Sequence, residues 1–164
     1  MREGFLLIFV IYIGNYIVSA TSPYVITNCN DLIAINNSLS ANYNLSNDIN
    51  CSGIVFPTPI GYKTAFTGSL EGNGFYILGV KLSFSLNNSG LFSYGQGAVI
   101  RNLQFLDFSF TSSPNTCNVG FFFGGCKNCF IQNITFNTLL ATSNNVTIQG
   151  RGGGEKKRKI LNFT

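Results

Sequence analysis

The chain has 164 residues, a length that suits one domain. Apolar residues make up 45% and charged residues only 10%, which excludes an intrinsically disordered chain, since disorder requires low hydrophobicity and high net charge. Histidine and tryptophan are absent, and without histidine Ser–His–Asp catalysis, Cys–His catalysis and most zinc sites are excluded too. The 18 glycines and 16 phenylalanines, with abundant asparagine and scarce alanine, favour strands joined by turns over helices.

Residues 1–20 read as a secretory signal. Arg2 supplies a basic start, Phe5 to Val18 is an apolar run, and Val18-Ser19-Ala20 places small residues where a signal peptidase cuts. A spanning helix needs about 20 apolar residues, so the run is short for an anchor. The expectation is an extracellular or cell-surface protein with no stable transmembrane anchor after cleavage; an uncleaved signal anchor is the alternative. Seven N-x-S/T sequons agree with export: Asn36, Asn44, Asn50, Asn87, Asn133, Asn145 and Asn162. In that compartment the five cysteines become disulfide candidates: Cys29, Cys51, Cys117, Cys126 and Cys129. Cys29 and Cys51 flank one local unit and could pair, and Cys117 could pair with Cys126 or Cys129.

Residues 21–44 are expected to form an N-terminal cap. Asn30-Asp31 can cap a short helix with Leu32, Ile35 and Leu39 on one face. Such a helix would cover the open end of the strands that follow.

Residues 45–149 carry a repeat. Three segments share the pattern apolar-x-x-apolar-x-apolar: Ile77-Leu78-Gly79-Val80-Lys81-Leu82, Ile100-Arg101-Asn102-Leu103-Gln104-Phe105 and Ile131-Gln132-Asn133-Ile134-Thr135-Phe136. Gly74, Gly97 or Asn128 stands three residues before each leading isoleucine. The period-2 part marks a strand with one buried face, and the two-residue gap breaks its phase. A straight strand would then turn its apolar set outward. A bend at the gap keeps both sets inside, and Gly or Asn suits the left-handed backbone angles of such a bend. The expected fold is therefore all-β: a right-handed parallel β-helix of three to four rungs, with Ile77, Ile100 and Ile131 stacked above one another. An antiparallel sandwich is the alternative.

The order of several further pieces resembles secreted proteins with the GLUG motif, within the pectin-lyase-like β-helix group. These pieces are Asp31-Leu32-Ile33-Ala34-Ile35, Tyr43 to Ile49, Phe56 to Gly61 and Phe66 to Gly74, followed by Gly90-Leu91-Phe92 and Gly120-Phe121-Phe122. The resemblance covers residues 31 to 136, and it implies a β-helix stalk or binding surface rather than a reaction. The chain departs from that pattern by being short and by ending in a basic run, Arg151 to Lys159. Residues 150–164 are read as a solvated tail.

The chemistry is sparse. Asp31, Asp48, Glu71 and Asp107 are dispersed and form no DxD or DD pair. Asp31 reads as a helix cap, Asp48 and Glu71 as turn residues, and Asp107 as solvent-facing at a bend. Cys126-Lys127-Asn128-Cys129 is a lone CxxC without a partner half-site, so it reads as a structural pair. In Phe121-Phe122-Phe123 three consecutive rings cannot all point inward from one strand. No catalytic residue, metal ligand or cofactor is assigned. Residues 21–150 carry four basic and four acidic side chains, so no basic face for nucleic acid is expected. The function read from the sequence is a structural or adhesive surface protein that contacts carbohydrate or other surface proteins. The alternatives are a polysaccharide lyase or hydrolase on the same scaffold, and a non-functional fragment of a larger surface protein.

Overall fold

The computed structural model describes residues 22–84, 86, 88–112 and 120–142, excepting the side chains at 112 and 138–142. The expected signal segment, the basic tail, Cys117 and the sequons at Asn87, Asn145 and Asn162 lie outside the described residues. The elements in chain order are β1 (Tyr24–Ile26), α1 (Cys29–Ile33), a 3-10 turn (Ala34–Asn37), β2 (Asn42–Leu45), β3 (Ile49–Asn50), β4 (Ser69–Glu71), β5 (Tyr76–Leu78), β6 (Lys81–Phe84), β7 (Phe92–Gln96), β8 (Val99–Ser112), β9 (Phe123–Lys127) and β10 (Phe130–Thr142). The architecture is mostly strand with little helix, and each strand pair among the described residues is parallel. An antiparallel sandwich is thereby ruled out for these residues.

The pairing is periodic. Tyr24 lies beside Tyr43, Tyr43 beside Leu70, Leu70 beside Ile100 and Ile100 beside Ile131. A second row runs Ile49, Ile77, Phe105 and Phe136. A third, on a separate sheet, pairs β7 with β9 and extends through bridges from Ile60 to Phe92 and from Phe66 to Gly95. The strand β8 is long because it bends twice, and β4, β5 and β6 pair with successive thirds of it.

The bends are where the repeat places them. Gly79, Asn102 and Asn133 have φ of 71°, 55° and 52°, and Gly74, Gly97 and Asn128 have φ of 82°, 64° and 56°. Asp107, between Phe105 and Phe108, sits at a further bend (φ 51°) and faces solvent. Left-handed backbone costs most side chains about 1–2 kcal/mol, and Gly, Asn and Asp bear it best. These residues let the inward set stay buried on both sides of each bend: Ile100, Leu103, Phe105, Phe108 and Phe110 are at most 1% exposed.

One expectation is corrected. Ile100 and Ile131 are paired, but Ile77 lies beside Phe105 rather than Ile100. Leu70 occupies the place beside Ile100. Ile77 comes seven positions after Leu70, whereas Phe105 comes five positions after Ile100. The additional residues form the Asn73-Gly74 turn, in which both have positive φ. That turn shifts everything after it relative to the next repeat. A smaller shift affects the glycine-led pieces, because Phe92 pairs with Phe123 rather than Phe122. The ring contact between Phe92 and Phe123, with centroids 5.2 Å apart, goes with this register.

Aromatic rings form a column that runs from the exposed Tyr24 into the core. Tyr24, Tyr43, Phe66, Phe92 and Phe123 follow one another at centroid distances of 5.5, 6.5, 4.7 and 5.2 Å. Each such pair adds about 0.5–1.5 kcal/mol beyond area burial. In the Phe121-Phe122-Phe123 run, Phe122 and Phe123 are buried while Phe121 is half-buried where the chain bends before β9.

The helix begins earlier than the sequence suggests. Its N-cap is Asn28, whose side-chain oxygen accepts from the backbone N–H groups of Asn30 and Asp31. Asp31 lies in the first turn, and its carboxylate reaches back to the Thr27 N–H (2.9 Å) and hydroxyl (2.7 Å) and to the Asn28 amide (3.0 Å). These bonds, led by the Thr27 N–H, hold the Asp31 carboxyl below its ordinary value despite a small opposing effect of burial. The cap is thus Asn28, with Asp31 bonding back past it to Thr27, which displaces the cap from Asn30-Asp31. The apolar face is as expected: Leu32 and Ile35 are fully buried, and Leu39 packs against the same core. Segment 21–44 also supplies β1 and most of β2, so it is woven into the sheet.

Candidate functional site

The bend between the first two rows of strands makes a polar corner. Each repeat brings an asparagine there, and each side-chain amide donates to the repeat before it. Asn47 donates to the Thr27 carbonyl (3.0 Å), Asn73 to the Leu45 carbonyl (2.7 Å), Asn102 to Glu71 Oε1 (2.9 Å) and Asn133 to Asn102 Oδ1 (2.9 Å). The sequence reading placed Asn102 and Asn133 at bends but missed the ladder of side chains. Its signal is the recurrence of asparagine at 47, 73, 102 and 133, close to the period of the strands.

An open depression of about 590 Å³ lies on this corner, lined by Glu71, Asn73, Gly74, Arg101, Asn102 and Asn133. Glu71 ends β4 and organises it. Its Oε1 accepts from the Asn73 backbone N–H (3.0 Å) and the Asn102 amide, and its Oε2 accepts from Arg101 Nε at 2.5 Å. Burial pushes the Glu71 carboxyl up, but the bonds from Asn102, Asn73 and Arg101, with the Arg101 charge, outweigh it and hold the carboxyl below its ordinary value. The Arg101 side chain is 53% exposed and uses Nε, not its Nη groups, for the ion pair. Gln104 donates to the Gly74 carbonyl beside them (3.0 Å).

The corner presents guanidinium donors and amide acceptors side by side. Glycoside hydrolysis ordinarily uses two carboxyl groups flanking the scissile bond. Among the described residues the lining holds one carboxylate, Glu71, which is paired with Arg101. The other acids lie in structural roles. Asp48 Oδ1 accepts from the Tyr76 N–H (3.0 Å), Asp31 sits in the first turn of α1 and accepts from Thr27, and Asp107 is exposed at its bend. Among the described residues no three of Cys, Asp and Glu gather to hold a metal ion.

Two disulfides close the described cysteines: Cys29–Cys51 and Cys126–Cys129. The first ties α1 to the end of β3. The second spans the Asn128 bend, so the CxxC pairs within itself rather than with Cys117. Gly95 lies directly beneath it. A Cβ there would fall 2.7 Å from the Cys129 sulfur and 2.9 Å from the Cys126 sulfur, which no side chain could tolerate without displacing the pair.

Four sequons fall on described residues. Asn36 uses both amide atoms, donating to the Ile33 carbonyl and accepting from the Gly61 N–H. Asn44 is half-buried in β2, Asn133 belongs to the ladder, and Asn50 is exposed at the end of β3.

The described residues thus define an all-β protein of parallel, in-register strands with a polar amide corner. Halomucin of Haloquadratum walsbyi is 32% identical over 149 residues, a match covering 81% of this chain and 2% of Halomucin. The chain thus spans 2% of the length of the curated protein it matches. No family model matches the chain, and no solved structure matches it. No helix among the described residues is long and apolar enough to cross a membrane.

Proposed function

We propose that this chain is a secreted or cell-surface protein whose parallel strands wind as a right-handed β-helix, serving a structural and adhesive role. Export is carried by the leader-like segment at residues 1–20. The observation that supports the scaffold best is the unbroken row of partners Tyr24, Tyr43, Leu70, Ile100 and Ile131, all parallel and in register. Such stacking buries an inward face that no single rung could bury alone. The 32% identity to Halomucin over 81% of this chain is taken in support of that location. The resemblance to GLUG-motif proteins points the same way, toward a stalk or binding surface.

The contact surface of this reading is the polar corner of Arg101, Asn102 and Asn133. Its outward donors and acceptors match the hydroxyl-rich surface of a carbohydrate or the polar rim of a surface protein. The experiment is binding of the exported chain to immobilised polysaccharides and to intact cells, beside the variants Arg101→Ala and Asn133→Ala. Retention that falls in both variants while circular dichroism stays unchanged supports the reading. Retention indifferent to both, or absence of the native chain from medium and cell surface, contradicts it.

A further inference from the structure

We infer that Asn50 is the modification site among the described sequons: its side-chain amide accepts an N-linked oligosaccharide, while Asn36 and Asn133 stay bare. The inference rests on the export reading above, since the donor is a lipid-phosphate-linked oligosaccharide on the far side of a membrane.

Two groups matter in an N-x-S/T acceptor, the asparagine amide nitrogen and the hydroxyl two residues on. In Asn50-Cys51-Ser52 both are exposed, and neither makes a hydrogen bond among the described residues. Their outward direction is fixed from below. Cys51 is fully buried, is joined to Cys29, and donates its N–H to the Leu78 carbonyl at 2.8 Å. Period-2 alternation then sends Asn50 and Ser52 outward on either side of it. The Ser52 N–H donates to Asn50 Oδ1 at 2.9 Å, which pins the carbonyl end and leaves the amide end toward solvent.

The other sequons lack this combination. A sugar on Asn36 would have to sit on a nitrogen already bonded to the Ile33 carbonyl, while its oxygen holds the Gly61 N–H. Asn133 and Thr135 are exposed, but the Asn133 amide nitrogen is already bonded to Asn102 Oδ1, and a sugar there would crowd the side-chain ladder at the bend of β10. Asn44 is half-buried between its register partners Val25 and Glu71, and its Ser46 hydroxyl already donates to Asn47. An oligosaccharide added during export persists in folded, released protein only where the fold has room for it.

In the transfer step the Asn50 amide nitrogen attacks the anomeric carbon of the donor. The carbon–nitrogen bond forms and the anomeric carbon–oxygen bond breaks. The lipid phosphate leaves with the electron pair, and one amide proton passes to a base on the transferase.

The test expresses the full chain in an N-glycosylating host, once with its own leader and once behind a host leader. Glycopeptide mass spectrometry of the released protein reads occupancy at each sequon. The expected result is a glycan at Asn50 on most molecules, with occupancy at Asn36 and Asn133 at least about tenfold lower. Ser52→Ala removes the Asn50 glycan and leaves the circular dichroism spectrum unchanged. A bare Asn50 in released protein, or Asn36 and Asn133 occupied as fully as Asn50, overturns the inference. Retention of the native-leader chain alone overturns the export reading, and the host-leader chain still decides Asn50.

Discussion

Asn133 stands directly on Asn102. Both occupy the left-handed region at the same bend of successive strands, and the Asn133 amide donates to the Asn102 side-chain oxygen at 2.9 Å. Asn102 in turn donates to Glu71, so one residue type does two jobs: it permits the bend and it bonds the repeats together.

These jobs separate by mutation. Asn102→Gly keeps the backbone angle and loses the side-chain bonds, at a cost of about 1–2 kcal/mol. Asn102→Ala loses the same bonds and adds backbone strain of about 1–2 kcal/mol more. Urea unfolding of both variants checks the order, and equal midpoints would refute the double role.

The bends were legible in the sequence, and the register was not. Gly and Asn at 74, 79, 97, 102, 128 and 133 stood out because few other residues tolerate positive φ. The register failed at Asn73-Gly74, since a turn of two additional residues leaves the apolar pattern on either side intact. Helix existence and face were readable from Leu32, Ile35 and Leu39, whereas its cap was displaced because Asn28 and Asp31 act jointly. The polar corner stayed hidden because its bonds join residues about thirty positions apart, and no local pattern reports them.

The two disulfides should differ in weight. Cys29–Cys51 closes a loop with a separation of 22 residues, and Cys126–Cys129 one of 3. In the chain-entropy account the double serine variants lose about 3 kcal/mol and about 2 kcal/mol respectively. Thermal unfolding of the two variants checks the ranking; a larger loss at 126 and 129 would contradict it.

Phe92 lies mid-column, fully buried between Phe66 and Phe123. Phe92→Ala should cost about 3–5 kcal/mol. Phe92→Leu should cost less, because it leaves a smaller void. Denaturant midpoints for the pair provide the measurement.

Acid should destabilise the fold through two carboxylates. Asp31 and Glu71 both titrate below their ordinary values when folded, so each contributes stability that is present above its unfolded pKa. That contribution is lost as pH falls through the depressed folded value. Unfolding free energy should therefore decline from about pH 5 downward. Asp31→Asn and Glu71→Gln start less stable at neutral pH and show a shallower acid decline. An unchanged slope in both variants would show that these carboxylates do not couple to folding.

The parallel register can be tested most directly by cross-linking. Neighbouring strands lie about 4.8 Å apart, within reach of a disulfide. Lys81 is paired with Ser109, whereas an alignment of the three isoleucines would set Lys81 beside Gln104. The account predicts that Lys81→Cys with Ser109→Cys cross-links under mild oxidation, and that Lys81→Cys with Gln104→Cys does not. Cross-linking of the second pair and not the first, mapped by mass spectrometry, would contradict it.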